Sequence, residues 1–201
     1  SKVYSPKDRK TAFIFGDGGV AALIERAPEF GKSYFSLNSD GSKEDLIKMN
    51  AGGYRNMSTA ETLREKVVDE HGNIRSEEHG YMNGGDVFNF VIKEIPPDIK
   101  NIMAQSGTGT EEIDYFLFHQ ANDFINSYLA KKLKLDTGKV PSTIAKFGNT
   151  SSVSIPLTMV SELQGKLNSK LLLLSGFGVG MTWASAVIRT ADCHICSMVE
   201  I

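Results

Sequence analysis

The apolar positions fall into short runs and longer periodic stretches that alternate along the chain. Ile113, Tyr115, Phe116 and Leu117 form an aromatic-rich run too short for a helix, which predicts a buried strand. Directly after it, Asn122-Asp123 can cap a helix whose apolar face is Phe124, Ile125, Tyr128, Leu129 and Leu133. His119 therefore sits where a strand gives way to a helix, the sheet edge where ligands and catalytic groups collect in α/β proteins. Leu171 to Leu174 is the most apolar run and predicts a central strand. Thr182 to Ile188 predicts a strand returning from the Gly176 to Gly180 turn, a hairpin whose glycines let backbone N–H groups approach a ligand. The same turn resembles half a dinucleotide fingerprint. Met181 replaces the third glycine and a strand follows instead of a helix, so that site is rejected.

Gly84-Gly85-Asp86 opens a helix with the apolar face Val87, Phe88, Val91, Ile92 and Ile95. Pro96-Pro97 is expected to end it, with Pro97 starting a second helix that runs to about Gln105. Ile155, Leu157, Met159, Val160 and Leu163 mark another helix, and Asn149 lies in the loop ahead of its positively polarised N-terminus. Short strands are predicted at Ala12 to Phe15, Val20 to Glu25 and Ser33 to Asn38, and Val140 to Ile144 is expected to be extended. Gly16-Asp17-Gly18-Gly19, between the first two strands, reads as a tight turn or bulge; no Gly-Lys-Ser/Thr follows to make it a phosphate loop. Ser42 to Gly80 has no sustained period beyond a helical turn or two within Ala60 to Val68. Such a segment wraps the mouth of a site or meets a partner.

Composition adds exclusions. At 201 residues, 41% hydrophobic and 23% charged, the chain can bury a proper core. A net charge of −2 gives no nucleic-acid footprint, and no apolar run approaches the roughly 20 residues of a membrane span. The start at Ser1 is neither a signal peptide nor a methionine, so the chain is expected to be processed or to begin partway through a longer protein. Cys193 and Cys196 give no disulfide framework, which points to a reducing cytoplasm; as a Cys-x-x-Cys they have no second ligand pair. His71 and His79 lie in polar sequence and are expected to be solvated, so no metal site is expected.

Three loops carry the unusual content: His119, Asn149 and Gly176 to Gly180. Imidazole and carboxamide can donate to one developing oxyanion, and glycine-rich backbone can supply further donors, the chemistry of acyl transfer or enolate stabilisation.

Phe15-Gly16-Asp17-Gly18, Met82-Asn83-Gly84-Gly85-Asp86-Val87-Phe88, His119-Gln120-Ala121-Asn122, Gly148-Asn149-Thr150-Ser151 and Gly176 to Trp183 stand in an order and spacing that resembles β-ketoacyl-acyl-carrier-protein synthase III. The resemblance implies an α/β, thiolase-like fold, a mixed β-sheet covered by helices, here the C-terminal half of a duplicated unit. It divides the chain into residues 1–30, the last strands of the N-terminal half; 31–190, the C-terminal half; and a tail, 191–201. It implies an acyltransferase that condenses an acyl-coenzyme A with malonyl-acyl carrier protein through a Cys-His-Asn triad, without a cofactor, as a cytoplasmic homodimer in fatty acid or related biosynthesis. By the same resemblance His119 and Asn149 are catalytic, and the Val179 backbone N–H serves an oxyanion hole. Gly85 and Asn122 line the pantetheine tunnel, and Phe88 and Phe177 shape its acyl end.

Several positions depart from the family pattern. No cysteine matches the nucleophile, so the isolated chain is expected to be inactive. Phe124 stands where the family has a carrier-docking Arg, with Lys131, Lys132 and Lys134 nearby, and Val179 and Gly85 replace more usual Gly and Asn. Ser42 to Gly80 is longer than in short family members. The alternative is a non-catalytic accessory half that pairs with a separate Cys-bearing subunit. Either way an apolar sheet face is expected to be exposed.

Overall fold

The computed structural model describes residues 2–25 and 27–200. Ser1 and Arg26 of the expected first segment, and Ile201 of the tail, lie outside the described residues.

Strand β1 (Tyr34–Ser39) is followed by the short strands β2 (Ile47–Lys48), β3 (Lys66–Val67), β4 (Ile74–Arg75) and β5 (Tyr81–Met82). Helix α1 (Gly84–Ser106), β6 (Tyr115–Phe118), α2 (Asp123–Leu133), α3 (Ile144–Phe147), α4 (Ser154–Glu162), β7 (Leu171–Gly178) and β8 (Thr182–Arg189) complete the order. The main sheet runs β1-β8-β7-β6. β6 and β7 are parallel and the other two pairs antiparallel, so the sheet is mixed as expected.

Side-chain alternation along β6 and β7 explains the layers. Phe116, Phe118 and Leu173 pack into one core with Val91, Ile95 and Ile99 of α1 and Leu129 of α2. Leu117 and Leu172 face the other way, against Leu163, Leu167, Ile155 and Met159 at and after α4. With period 2, one strand feeds both faces, so the runs must be apolar throughout. Leu171 to Leu174 satisfies that requirement.

Helix α1 does not break at Pro96-Pro97; both lie inside one helix of 23 residues. Each proline removes an N–H from the ladder and costs roughly 3 kcal/mol in a helix interior. The buried stripe Val91, Ile95, Ile99 and Ile102 keeps helical phase straight through the pair. A break would turn Ile99 and Ile102 out of a core in which both are fully buried. Tertiary packing therefore holds the helix through its breakers.

The N-terminal strands predicted from apolar runs do not form. Thr11 to Ile14 is turn, and Phe15 makes only a parallel bridge to Asn149. Val20 to Glu25 has no secondary structure, and Leu23 and Ile24 are 87% and 90% exposed. A strand needs a hydrogen-bonding neighbour, and none pairs with this stretch among the described residues. Gly16 to Gly19 is not a tight turn either; Gly16 passes edge-on against the Phe147 carbonyl. Phe35 and Leu37, alternate residues of the edge strand β1, are exposed on one face of that strand. Phe124 also points outward and does not join the α2 core face.

Within 42–80 the chain makes a turn at Ala60 to Leu63 in place of a helix. A short 3-10 helix, Gly41–Leu46, opens it, and it takes part in two small ribbons, β2–β5 and β3–β4. The buried Asp8 carboxylate accepts from Arg75 Nη1 at 2.9 Å, and Glu78 accepts from Ser58 and Thr62. The long segment is thus pinned to residues near the N-terminus.

Candidate active site

His119 follows the last residue of β6. Its backbone N–H donates to the Ser175 carbonyl of β7 at 2.9 Å, so the parallel pairing continues one residue past the strand and fixes the ring's origin. Asn122 caps α2, its Oδ1 accepting from the Ile125 N–H at 2.8 Å, as its position predicts. Between them Gln120 is fully buried and donates through Nε2 to the Phe118 carbonyl.

Asn149 is held from the opposite side. Its N–H donates to the Ile14 carbonyl at 2.8 Å and its carbonyl accepts from the Gly16 N–H at 3.0 Å. The close approach of Gly16 is what makes this bridge possible: a Cβ there would lie 1.9 Å from the Phe147 carbonyl oxygen. The Asn149 Oδ1 accepts from the Ser151 N–H at 2.9 Å, which leaves its Nδ2 group as the donor available to a ligand.

These loops border one cavity of about 600 Å³. His119, Asn149, Phe177 and the backbone around Val179 all line it, together with Leu37, Ile47, Met82 and Trp183. Phe177 meets the His119 ring edge-on at 5.2 Å. Val179 lies on the turn between β7 and β8, with its carbonyl accepting from Thr182 Oγ1 at 2.9 Å. A second cavity, of about 630 Å³, also borders Val179 and Gly180 and is walled by residues between Glu44 and Asn56. The long irregular segment thus borders the same turn.

Gly85, Phe88 and Asn122 are placed elsewhere, on or just ahead of the first turns of α1 and α2. Phe88 packs on Phe124 and Tyr128 at 5.2 and 5.9 Å, and Gly85 is exposed. None of the three lines the cavity that holds His119.

Burial lowers the His119 pKa to about 4, with the Ser151 carbonyl acting in the opposite direction. The imidazole is neutral at pH 7 and can donate a hydrogen bond without carrying charge. Ser154 Oγ lies 2.8 Å from Nδ1. Ser154, Asn38 and Trp183 escaped sequence reasoning. The one local sign of Ser154 is a hydroxyl residue at a helix start; its partner His119 is 35 residues away.

Cys193 and Cys196 are exposed thiols in the tail. No cluster of three His, Cys, Asp or Glu side chains is poised for a metal among the described residues. No helix among them is long and apolar enough to cross a membrane.

Comparison with known proteins matches residues 103–190 to the family model "3-Oxoacyl-[acyl-carrier-protein (ACP)] synthase III C terminal". The chain is 35% identical over 195 residues to the β-ketoacyl-[acyl-carrier-protein] synthase III of Aliarcobacter butzleri, covering 95% of this chain and 56% of that protein. It is 33% identical over 193 residues to the Streptococcus pneumoniae protein of the same name, covering 94% and 56%. The crystal structure of a 3-oxoacyl-(acyl-carrier protein) synthase from Burkholderia xenovorans superposes with a TM-score of 0.81 at 32% identity, covering 100% of this chain and 56% of that one. The chain spans about half the length of the curated relatives it matches. The fold is thiolase-like, and residues 103–190 match the C-terminal domain of the 3-oxoacyl-acyl-carrier-protein synthase III family.

Proposed function

We propose that this chain forms the decarboxylating side of a condensing active site, in an acyltransferase of fatty acid or related biosynthesis. The observation that carries this is the convergence of His119 and Asn149 on one cavity. Asn149 has its Oδ1 tied to the protein and its Nδ2 donor left over, and the His119 ring borders the same cavity.

In the reaction, a malonyl thioester breaks its bond to the carboxylate carbon and releases carbon dioxide. The electron pair left behind moves onto the thioester oxygen, where His119 Nε2–H and Asn149 Nδ2–H both donate to it. The resulting carbanion attacks a second thioester, an acyl group held on a cysteine. The new carbon–carbon bond forms as the cysteine sulfur leaves as thiolate. The Val179 N–H donates to the oxygen of that second carbonyl while it is tetrahedral. A neutral His119 keeps one ring N–H, which can donate to the developing charge.

The acylated cysteine belongs to neither Cys193 nor Cys196, which sit exposed in the tail. We assign it to polypeptide beyond these 201 residues. The exposed Leu23, Ile24, Phe35 and Leu37 are the surface such a partner half would cover. The donor substrate is an acyl-coenzyme A, the malonyl carrier is acyl carrier protein, no cofactor takes part, and the intact enzyme is a cytoplasmic homodimer. Gly85 and Asn122 then contact the pantetheine arm before it reaches the cavity, and Phe177 shapes the acyl end. An accessory, non-catalytic half has no chemical need for both free donors.

The test is His119→Ala in the intact protein. Malonyl decarboxylation is expected to fall by about 10²–10³-fold, the usual effect of losing one such donor. Acylation of the cysteine is expected to stay largely intact. Unchanged carbon dioxide release in this variant would remove the role assigned to His119.

A further inference from the structure

Between β1 and α1 three polar side chains form a triangle. Asp98 sits among the buried residues of α1 and is 7% exposed. Its Oδ1 accepts from Ser36 Oγ at 2.5 Å and from Asn38 Nδ2 at 2.9 Å. Asn38 Nδ2 also donates to Ser36 Oγ at 3.0 Å. Asp98 Oδ2 is buried without a hydrogen-bond partner among the described residues. Apolar side chains at these positions would join the strand to the helix without that cost, so packing alone does not explain the triangle.

Asn38 has one group left over. A carboxylate only accepts, so the end of Asn38 that faces Asp98 is its NH2 group. Ser36 gives its one proton to Asp98, and its oxygen accepts from Asn38. Both protons of Nδ2 are therefore spent inside the triangle. No described residue donates to Asn38 Oδ1, and that oxygen is not among the buried polar atoms left without a partner. It is an open acceptor, and Asn38 lines the cavity that holds His119.

The sheet register gives this acceptor its place. Asn38 pairs with Trp183 and Trp183 with Phe177, so the three stand in one row across β1, β8 and β7. Phe177 in turn meets the His119 ring. Two strand spacings, about 10 Å, separate Asn38 from Phe177. Asn38 is thus too far away to touch a carbonyl held at His119. It stands where the far end of a chain running from that carbonyl past Phe177 arrives. Leu37, Ile47, Met82 and Val87 make the nearby wall apolar.

We propose that this cavity selects an acyl group whose far end carries a hydroxyl, which donates to Asn38 Oδ1. Asp98 and Ser36 are positioning residues that keep the carboxamide turned that way. A hydroxyl has one proton to place and finds one acceptor; an ammonium has three and would be left short. That the ligand is an acyl group rests on the reaction proposed above; the open acceptor does not.

The experiment uses the intact protein and coenzyme A derivatives in matched pairs, plain and terminally hydroxylated, of four, six and eight carbons. Calorimetry reads affinity with ketone analogues, in which a methylene replaces the thioester sulfur and no transfer occurs. With the thioesters, release of coenzyme A reads transfer of the acyl group from its sulfur to the cysteine sulfur. At one chain length the hydroxylated member is expected to bind up to about tenfold more tightly, the equivalent of one hydrogen bond, and kcat/KM for transfer to follow. In Asn38→Leu, which puts an apolar group of similar size there, the preference is expected to reverse. In Asp98→Leu, which frees the carboxamide to turn over, the ratio is expected to fall toward one. Each readout is a ratio between two ligands on one protein, so partial unfolding does not mimic it, and the wild-type comparison needs no variant. Equal affinity within every wild-type pair overturns the proposal. So does an unchanged ratio in Asn38→Leu with both members weakened alike, which would place Asn38 against the coenzyme A arm they share. Preferential binding of a hydroxylated ketone with no transfer from any thioester supports the selection and instead removes the reaction proposed above.

Discussion

Replacing Gly16 by alanine tests how Asn149 is held. The new carbon would lie 1.9 Å from the Phe147 carbonyl oxygen, whereas real Cβ contacts are not found below 3.0 Å. Both sides of the clash are backbone, so the two segments must separate by about 1 Å. The separation acts on the two hydrogen bonds of the bridge, Gly16 N–H to Asn149 O at 3.0 Å and Asn149 N–H to Ile14 O at 2.8 Å. At a net 0.5–1.5 kcal/mol each, their loss comes to about 1–3 kcal/mol of stability. A displacement of about 1 Å in a reacting group costs on the order of 10²-fold in rate. Gly19→Ala is the control, since nothing lies within 4 Å of a Cβ built there and its backbone has no positive φ. Urea unfolding reads the stability, and labelled carbon dioxide released from malonyl carrier protein reads the rate, with cysteine acylation measured in parallel. Expected is a loss of both in Gly16→Ala with acylation retained, and no change in Gly19→Ala. If the two variants behave alike, the bridge does not position Asn149.

Two further effects follow from buried charge. His119 titrates near 4 in the fold against an ordinary 6.5, so the unfolded chain takes up this proton first as pH falls. Stability is therefore lost between about pH 6.5 and pH 4 and not further below, by roughly 3 kcal/mol from this group. In denaturant titrations, His119→Gln is expected to show a correspondingly shallower fall over that window. Asp8→Ala is expected to cost about 3 kcal/mol in urea unfolding, the low end for a buried pair because Arg75 keeps partial contact with water.

β7 and β8 were legible because they find their hydrogen-bonding neighbours within the chain. Leu171 to Leu174 and Thr182 to Ile188 need no partner from elsewhere, and they paired as expected. The caps were legible for a similar reason: the Asn122 bond to Ile125 spans three residues. Ala12 to Phe15 and Val20 to Glu25 have the apolar content of strands, yet content cannot supply a neighbour to bond to. Pro96-Pro97 misled in the opposite sense, because local chemistry favours a break that the Ile95, Ile99 and Ile102 stripe overrides. At the site, His119, Asn149, Phe177 and Val179 came together around one cavity. The hydrogen bonds among Gln120, Thr143, Ser154 and Thr158 were hidden because they cross between segments far apart in sequence.

The most direct measurement compares carbon dioxide release from malonyl carrier protein by the intact protein, His119→Ala, Asn149→Ala and the double variant. If both side chains donate to one oxygen, each single loss is about 10²–10³-fold, and the double variant falls well short of the product of the two. Release near the wild-type rate in either single variant, or losses that multiply as for unrelated sites, would contradict a shared oxyanion.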